Sequence, residues 1–219
     1  SIGRWATPIP ASVNAWIFSA AVPDLVPRRL LASGALAAVP TGAVATAMAL
    51  AVALLLLLVG AAAALASQFG VEMSKGYTFD EKNAVAGNAS HLIFSRENKL
   101  LGSHSILEGR NEKERINILR SFTGQSLKGP EDSVAILKLA DTATDSPGFQ
   151  APNPVSAAGR AQAVALKFGK GRVLVQGEAA MLSAQVSGPE NRRMGMNVPG
   201  NDNKQYVLNV MHWLSGLLK

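Results

Sequence analysis

The sequence contains no cysteine among its 219 residues. This absence excludes thiol nucleophiles, disulfide bridges, iron–sulfur clusters and zinc sites built on cysteine. Phosphate-binding loops of the G-x-x-x-x-G-K-[ST] and G-x-G-x-x-G types are also missing. The three histidines do not form a pair at metal-ligand spacing. We therefore predict no metal site and no cofactor.

Charged residues are scarce in the first 66 residues, which hold 20 alanines, 11 leucines, three arginines, no lysine and a single acid. The rest of the chain carries 18 lysines and arginines and 14 acids, which is an ordinary globular balance. Such a shift in composition marks a domain boundary, which composition alone places between Ala66 and Gly70. With the apolar helix taken to end before the first helix of the globular domain, we divide the chain into an irregular N-terminal segment (residues 1–41), an apolar helix (42–59) and a globular domain (60–219).

The apolar run Gly42–Ala66 is 25 residues long, and a threonine is its only polar residue. A membrane-spanning helix needs about 20 mostly apolar residues, so residues 42–59 qualify as a short span before the globular domain. Because Arg28 and Arg29 precede the run, the positive-inside rule places the downstream domain outside the cytoplasm. We predict a single-pass membrane protein with an extracytoplasmic C-terminal domain. The alternative is a soluble fold in which Ala53–Val59 is a buried parallel strand.

The globular part alternates between apolar runs and turn-forming segments. Its patterns predict the strands Gly87–Phe94, Ser133–Leu139, Ala161–Phe168 and Gly171–Gln176, the helices Asn111–Leu119 and Asn203–Leu218, and the loops Asp141–Gly159 and Pro189–Gly200. The strands Ala161–Phe168 and Gly171–Gln176 form a pair joined by a tight glycine-containing turn.

The segment Gly171–Leu218 runs from a strand ending in Gly-Glu, through a small apolar turn, to a G-N-D-N motif that opens a helix ending in Trp-Leu. This arrangement resembles uncharacterised bacterial domains of the class I glutamine amidotransferase-like superfamily, and the resemblance extends over about Gly60–Leu218. It implies an α/β fold, a flavodoxin-like sandwich with a mostly parallel sheet. Amidotransferase chemistry in that superfamily needs a cysteine nucleophile, which is absent here, so the resemblance implies a non-catalytic domain.

The same resemblance makes the N-terminal part atypical. Domains of this kind have one or two βα units before the position of Gly60, and the first 59 residues contain no recognisable unit. We hypothesise that residues 1–58 are not the native N-terminal half and represent a truncated or mis-framed gene end.

The candidate site lies where the resemblance implies a strand end. Glu178 follows a strand at the edge where open α/β sheets bind ligands. By fold analogy, Asn201, Asp202 and Asn203 lie nearby at a helix N-terminus, which favours anions. For His104 the resemblance implies a positioning role. The plainer interpretation makes Asp202 an N-cap and Glu178 a solvated loop acid.

These observations predict a non-catalytic domain that binds an unidentified ligand or protein partner and is tethered to the membrane through residues 42–59. The alternative is a hydrolase in which Glu178 or Asp202 acts with a bound water or metal. Nucleic acid is not expected as a partner. The basic clusters are interleaved with acids, and no nucleic-acid-binding motif accompanies them.

Overall fold

The computed structural model describes residues 16–19, 62–148, 151–187 and 191–219. The strands are β1 (Trp16–Ser19), β2 (Glu72–Met73), β3 (Tyr77–Phe79), β4 (Ala84–Val85), β5 (Asn88–Ser95), β6 (Ile118–Arg120), β7 (Leu127–Lys128), β8 (Val134–Lys138), β9 (Thr144–Ser146), β10 (Val155–Ser156), β11 (Ala161–Phe168), β12 (Gly171–Gln176), β13 (Ala184–Ser187) and β14 (Arg192–Gly195). The helices are α1 (residues 62–67), α2 (Ser105–Glu108) and α3 (Asn203–Leu214), and the 3₁₀ turns are η1 (Glu112–Glu114) and η2 (Ala180–Leu182).

The largest sheet is built around the hairpin β11–β12. Its strand order is β1-β12-β11-β7-β2, and β8 also pairs with β11. In the hairpin, Phe168 lies opposite Gly171, so only Gly169 and Lys170 form the turn. Gly169 has a φ of 57°, the left-handed conformation that the first central residue of a type II′ turn requires.

Side chains alternate between the two faces of this hairpin, and both faces are buried except near the turn. Ala163, Ala165 and Leu174 face a core that includes residues of α2 and α3. Val164 and Val175 belong to a second apolar cluster, which also contains a residue of α1. The hairpin is therefore the central layer of the described fold.

Three smaller sheets complete the fold: β10-β9-β3, β4-β5-β6 and the two-stranded β13-β14. All of their strand pairs are antiparallel. The sheets β10-β9-β3 and β4-β5-β6 lie next to each other, since β3 contacts β5.

The predicted flavodoxin-like sandwich with a mostly parallel sheet is wrong, because every named strand pair in the described residues is antiparallel. Parallel neighbours need a crossover connection of a dozen or more residues, usually a helix. Here β11 and β12 are joined by a two-residue turn, and only short segments separate β2, β3, β4 and β5. The described chain therefore has an antiparallel, mainly β architecture instead of the α/β class.

The membrane prediction also needs correction. Among the described residues there is no helix long and apolar enough to cross a bilayer. The prediction of a single-pass membrane protein, with a transmembrane helix and an extracytoplasmic C-terminal domain, is therefore not supported by the part of the chain that the structure describes. The segment 42–59, to which the span was assigned, and the alternative strand Ala53–Val59 lie outside the described residues.

Several individual elements agree with the predictions. The strands β11 and β12 have the predicted bounds, and β5 and β8 lie within one residue of theirs. The last helix begins at Asn203 as predicted and ends at Leu214, four residues early. It stops before Gly216, whose φ of 85° is the left-handed conformation common at helix C-termini.

The predicted helix Asn111–Leu119 is wrong beyond its first turn. Asn111 does cap a turn, since its side chain accepts a hydrogen bond from the backbone N–H of Lys113. Only the three residues of η1 follow, however, and the chain enters β6 at Ile118. The predicted loops are also more ordered than expected, because Asp141–Gly159 contains β9 and β10, and Pro189–Gly200 contains β14.

Candidate functional site

The predicted site residues at the start of α3 bind backbone groups of this chain. Asp202 occupies the N-cap position, but its Oδ2 accepts hydrogen bonds from the backbone N–H groups of Asn117 (2.7 Å) and Ile118 (3.1 Å). The Oδ1 of Asn201 accepts from the N–H of Asn203 at 3.0 Å. The helix start is thus docked against β6.

Asn203 continues this attachment deeper in the protein. Its side chain is fully buried. Its Oδ1 accepts from the N–H of Arg120, and its Nδ2 donates to the carbonyl oxygens of Arg120 and Met181. These contacts join α3, β6 and η2 and satisfy a buried amide, as burial of a polar group demands.

Glu178 is fully buried, so its interpretation as a solvated loop acid is wrong. Its Oε1 accepts a hydrogen bond from the N–H of Ala180 (2.6 Å), and its Oε2 accepts from Met181 (2.9 Å) and Phe122 (3.2 Å). Burial raises the pKa of this carboxyl to about 7, although the three backbone N–H groups favour its charged form. The carboxyl fixes η2 to the segment after β6.

Glu178 and Asn203 both bind the backbone of Met181. The carboxylate of Glu178 accepts a hydrogen bond from its N–H, and the side-chain amide of Asn203 donates one to its carbonyl oxygen. Packing around Glu178 is tight on the side of Gly124. A Cβ atom on that glycine would lie 2.7 Å from the Cβ of Glu178 and 2.5 Å from the Nε2 of Gln162. The structure brings two of the predicted residues together, but in a filled interior.

His104 lies at the opposite end of α3. Its Nδ1 accepts a hydrogen bond from the N–H of Ile106 and thereby caps α2. Its ring packs edge-on against Trp213, with 5.0 Å between the ring centroids. Burial, and then the nearby Arg172 guanidinium, lower the pKa of this imidazole. Trp213 and Asn203 are about 15 Å apart along the helix axis, at 1.5 Å per residue, so His104 is separate from the Glu178 cluster.

A concave surface exists elsewhere, where β3 and β9 face the β4–β5 hairpin. This groove has a volume of about 590 Å³. Its lining includes the side chains of Phe79, Asp80, Glu81, Lys82, Asn88, Ser90, Thr142, Thr144, Ser146 and Pro154. The predictions missed it, because Thr144, Ser146 and Pro154 fell within a segment read as a loop.

Asp80 is the best-anchored side chain of the groove and is only 3% exposed. Its Oδ1 accepts from the backbone N–H groups of Lys82 (3.0 Å) and Asn83 (3.3 Å) and from the hydroxyl of Thr142 (2.8 Å). Its Oδ2 accepts from the Nδ2 of Asn83 at 2.9 Å. These bonds hold the turn after β3 against the segment that precedes β9.

A second network lies behind the groove and fixes β9. Asp145 accepts hydrogen bonds from the hydroxyls of Thr78 (2.7 Å) and Ser126 (2.6 Å). The Nε of Arg160 donates to the Ser126 hydroxyl oxygen, and its Nη1 pairs with Glu72 at 2.8 Å. The hydrogen bond from Arg160 is the main reason that the pKa of Glu72 lies below its usual range. Because side chains alternate along a strand, Thr144 and Ser146 point away from Asp145, towards the groove.

Metal binding finds no support in the described residues, which contain no group of three or more acidic or histidine side chains able to hold an ion. No family model, curated protein or solved structure matches the chain. The resemblance to amidotransferase-like domains therefore stays a prediction, and the groove is the candidate site that the geometry itself offers.

Proposed function

We propose that this protein is a non-catalytic binding domain whose ligand occupies the groove between β3, β9 and the β4–β5 hairpin. The observation that carries the proposal is the groove itself. Its volume of about 590 Å³ lies within the range of about 300–1,000 Å³ typical of small-molecule sites. Its lining combines hydroxyl, amide and carboxylate groups with apolar rings, which suits a small polar ligand.

The walls of the groove are held in place before any ligand arrives. Asp80 ties the turn after β3 to Thr142, and Asp145 ties β9 to β3 and to the segment before β7. A site that is already ordered loses less conformational entropy when it binds a ligand. This preorganisation supports a role in binding.

The carboxylates considered for hydrolysis are placed less favourably. A general acid or base has to reach its substrate at about 3 Å. Both oxygens of Glu178 accept backbone hydrogen bonds in the interior, and Asp202 accepts two backbone hydrogen bonds at β6. These contacts favour structural roles for the two acids and support binding over hydrolysis.

The test is a screen in which small polar compounds are added to the full ¹⁵N-labelled chain and binding is detected by NMR. We expect a ligand to shift the amide signals of Gly87, Ser90 and Thr144 and the side-chain amide of Asn88. The variant Asn88→Ala should weaken binding, whereas Asn117→Ala, which removes an exposed amide outside the groove, should not. Shifts confined to the surroundings of Glu178, or turnover of a compound, would refute the proposal.

A further inference from the structure

We infer that the ligand of the groove is a neutral, hydroxyl-rich small molecule, such as a monosaccharide or disaccharide. This inference rests on the proposed function and names the ligand class for the same site. It follows from the charge, the hydrogen-bonding capacity and the apolar surface of the lining.

Charge disfavours an ionic ligand. Glu81 and Lys82 are both exposed at the groove and have opposite signs, so their charges largely cancel. The remaining charge is that of Asp80, which forms no ion pair within the described residues. A buried carboxylate repels a phosphate or carboxylate placed beside it, and its own lone pairs already accept four hydrogen bonds. Repulsion therefore disfavours an anion, and the carboxylate of Asp80 has few unoccupied lone pairs left for a cation.

The hydrogen-bonding groups match hydroxyls, because each hydroxyl both donates and accepts. The Asn88 side-chain oxygen accepts from the N–H and the hydroxyl of Ser90, which leaves its NH₂ group to donate into the groove. The hydroxyls of Thr142 and Ser146 donate to Asp80 and to a backbone carbonyl, so their oxygens remain as acceptors. The unused donor thus lies on the hairpin side and the unused acceptors lie on the opposite wall.

The lining of the groove also offers apolar surface to a ligand. Phe79 and Pro154 add two rings to the same lining. A pyranose presents C–H groups on its faces and hydroxyls around its rim, so it can pack on rings while its hydroxyls reach the polar walls. The volume of about 590 Å³ accommodates a ligand of this size.

The experiment compares three probes that share one ring and differ in charge: glucose, glucose 6-phosphate and glucosamine. Maltose serves as a larger neutral probe. Each is titrated into the full ¹⁵N-labelled chain, and binding is followed through the signals of Gly87, Asn88, Ser90 and Thr144. We expect glucose or maltose to shift these signals, and the two charged sugars to bind at least tenfold more weakly.

Two variants locate the interaction. Asn88→Ala removes the donor and should weaken neutral-sugar binding about fivefold, the usual effect of one neutral hydrogen bond. Asn117→Ala should leave binding unchanged.

The outcomes separate the two proposals. Tighter binding of the phosphate or the amine sugar at the groove signals would overturn the neutral-ligand inference and leave the proposed function intact. If neither these sugars nor any compound of the polar screen shifts the groove signals, both proposals fail.

Discussion

Replacing Glu178 by glutamine tests whether this buried carboxyl carries the pH dependence that its surroundings dictate. Burial raises its pKa from the ordinary value of 4.5 to about 7. Each pKa unit corresponds to about 1.4 kcal/mol, so charging this group costs roughly 3 kcal/mol more in the folded protein than in the unfolded chain. Below pH 4.5 the group is neutral in both states and has no such cost. As the pH rises from 4.5 to 7, the unfolded chain loses this proton first, and stability falls.

The variant Glu178→Gln keeps an oxygen acceptor and the side-chain shape but cannot ionise. Its NH₂ group faces a backbone N–H, which lowers stability by about 1–3 kcal/mol at every pH. The free energy of unfolding should therefore be lower than that of the wild type at pH 4.5, and should approach or exceed it at pH 7. The difference between the two proteins should change by about 3 kcal/mol over this range.

Urea unfolding followed by tryptophan fluorescence measures this difference. Histidines contribute a slope of opposite sign in the same pH range, but they are present in both proteins and cancel in the comparison. Glu131→Gln, at an exposed acid, is the control. Parallel stability curves for the wild type and Glu178→Gln would refute the reasoning. If the variant fails to fold, a ¹³C NMR titration of the wild-type Glu178 carboxyl tests the raised pKa directly. A midpoint near the ordinary value of 4.5 would contradict it.

Three further perturbations test other parts of the structure. Burial, helped by a neighbouring guanidinium, lowers the pKa of His91 to about 4, so the contribution of this group to stability grows as the pH rises from 4 to 6.5. In urea titrations, the free energy of unfolding of the wild type relative to that of His91→Asn should rise over this range, and a constant difference would contradict the lowered pKa. Gly124→Ala places a Cβ 2.7 Å from that of Glu178 and should lower the free energy of unfolding by about 1–3 kcal/mol. An unchanged urea midpoint would contradict this, because it would show that the segment between β6 and β7 moves to accept the methyl group. Asn203→Ala removes three hydrogen bonds that attach α3 to β6 and η2 and should lower stability by roughly 2–3 kcal/mol; a loss below about 0.5 kcal/mol in thermal unfolding would contradict its anchoring role.

Local sequence patterns predicted the elements whose position and type depend mainly on their own residues. The hairpin β11–β12 consists of two apolar runs separated by Gly169 and Lys170. A two-residue turn that contains glycine fixes both the antiparallel pairing of these runs and its register. The helix α3 has its apolar residues at helical spacing, which predicted the helix and its start, whereas Gly216, which follows its end, lay inside the predicted range. In both cases the information lies within about 20 consecutive residues, so tertiary contacts were not needed to find them.

The fold class failed because it was taken from a resemblance, while the residues already pointed elsewhere. The predicted strand pair Ala161–Phe168 and Gly171–Gln176 with its tight turn is an antiparallel unit, and a parallel sheet cannot use such a connection. The helix expected over Asn111–Leu119 failed for a different reason. In its second half and at the following residue, Arg120, backbone N–H groups donate hydrogen bonds to the side chains of Asp202 and Asn203. These side chains lie more than 80 residues away in the chain, and such contacts override local propensity.

The groove could not be predicted because three of the four strands that form its walls are very short. β3, β4 and β9 have only two or three residues each, too few to show a period of two. They are held by Asp80 and Asp145, whose hydrogen-bond partners lie up to 67 residues away. Only the assembled structure brings these segments together.

What separates the predicted site from the observed groove is how the polar side chains are used, and not their type. Glu178 and Asn203 have the chemistry of ligand-binding residues, but each hydrogen bond that their side chains form in the described structure is to the backbone of this chain. A buried polar group that is already satisfied stabilises the fold and has little left to offer a ligand. Asn88 is in the opposite position, because its oxygen is occupied by Ser90 while its NH₂ group remains at an exposed groove. The capacity to bind therefore follows from the unused donors and acceptors, which is why the binding experiments centre on Asn88 and the stability experiments on Glu178.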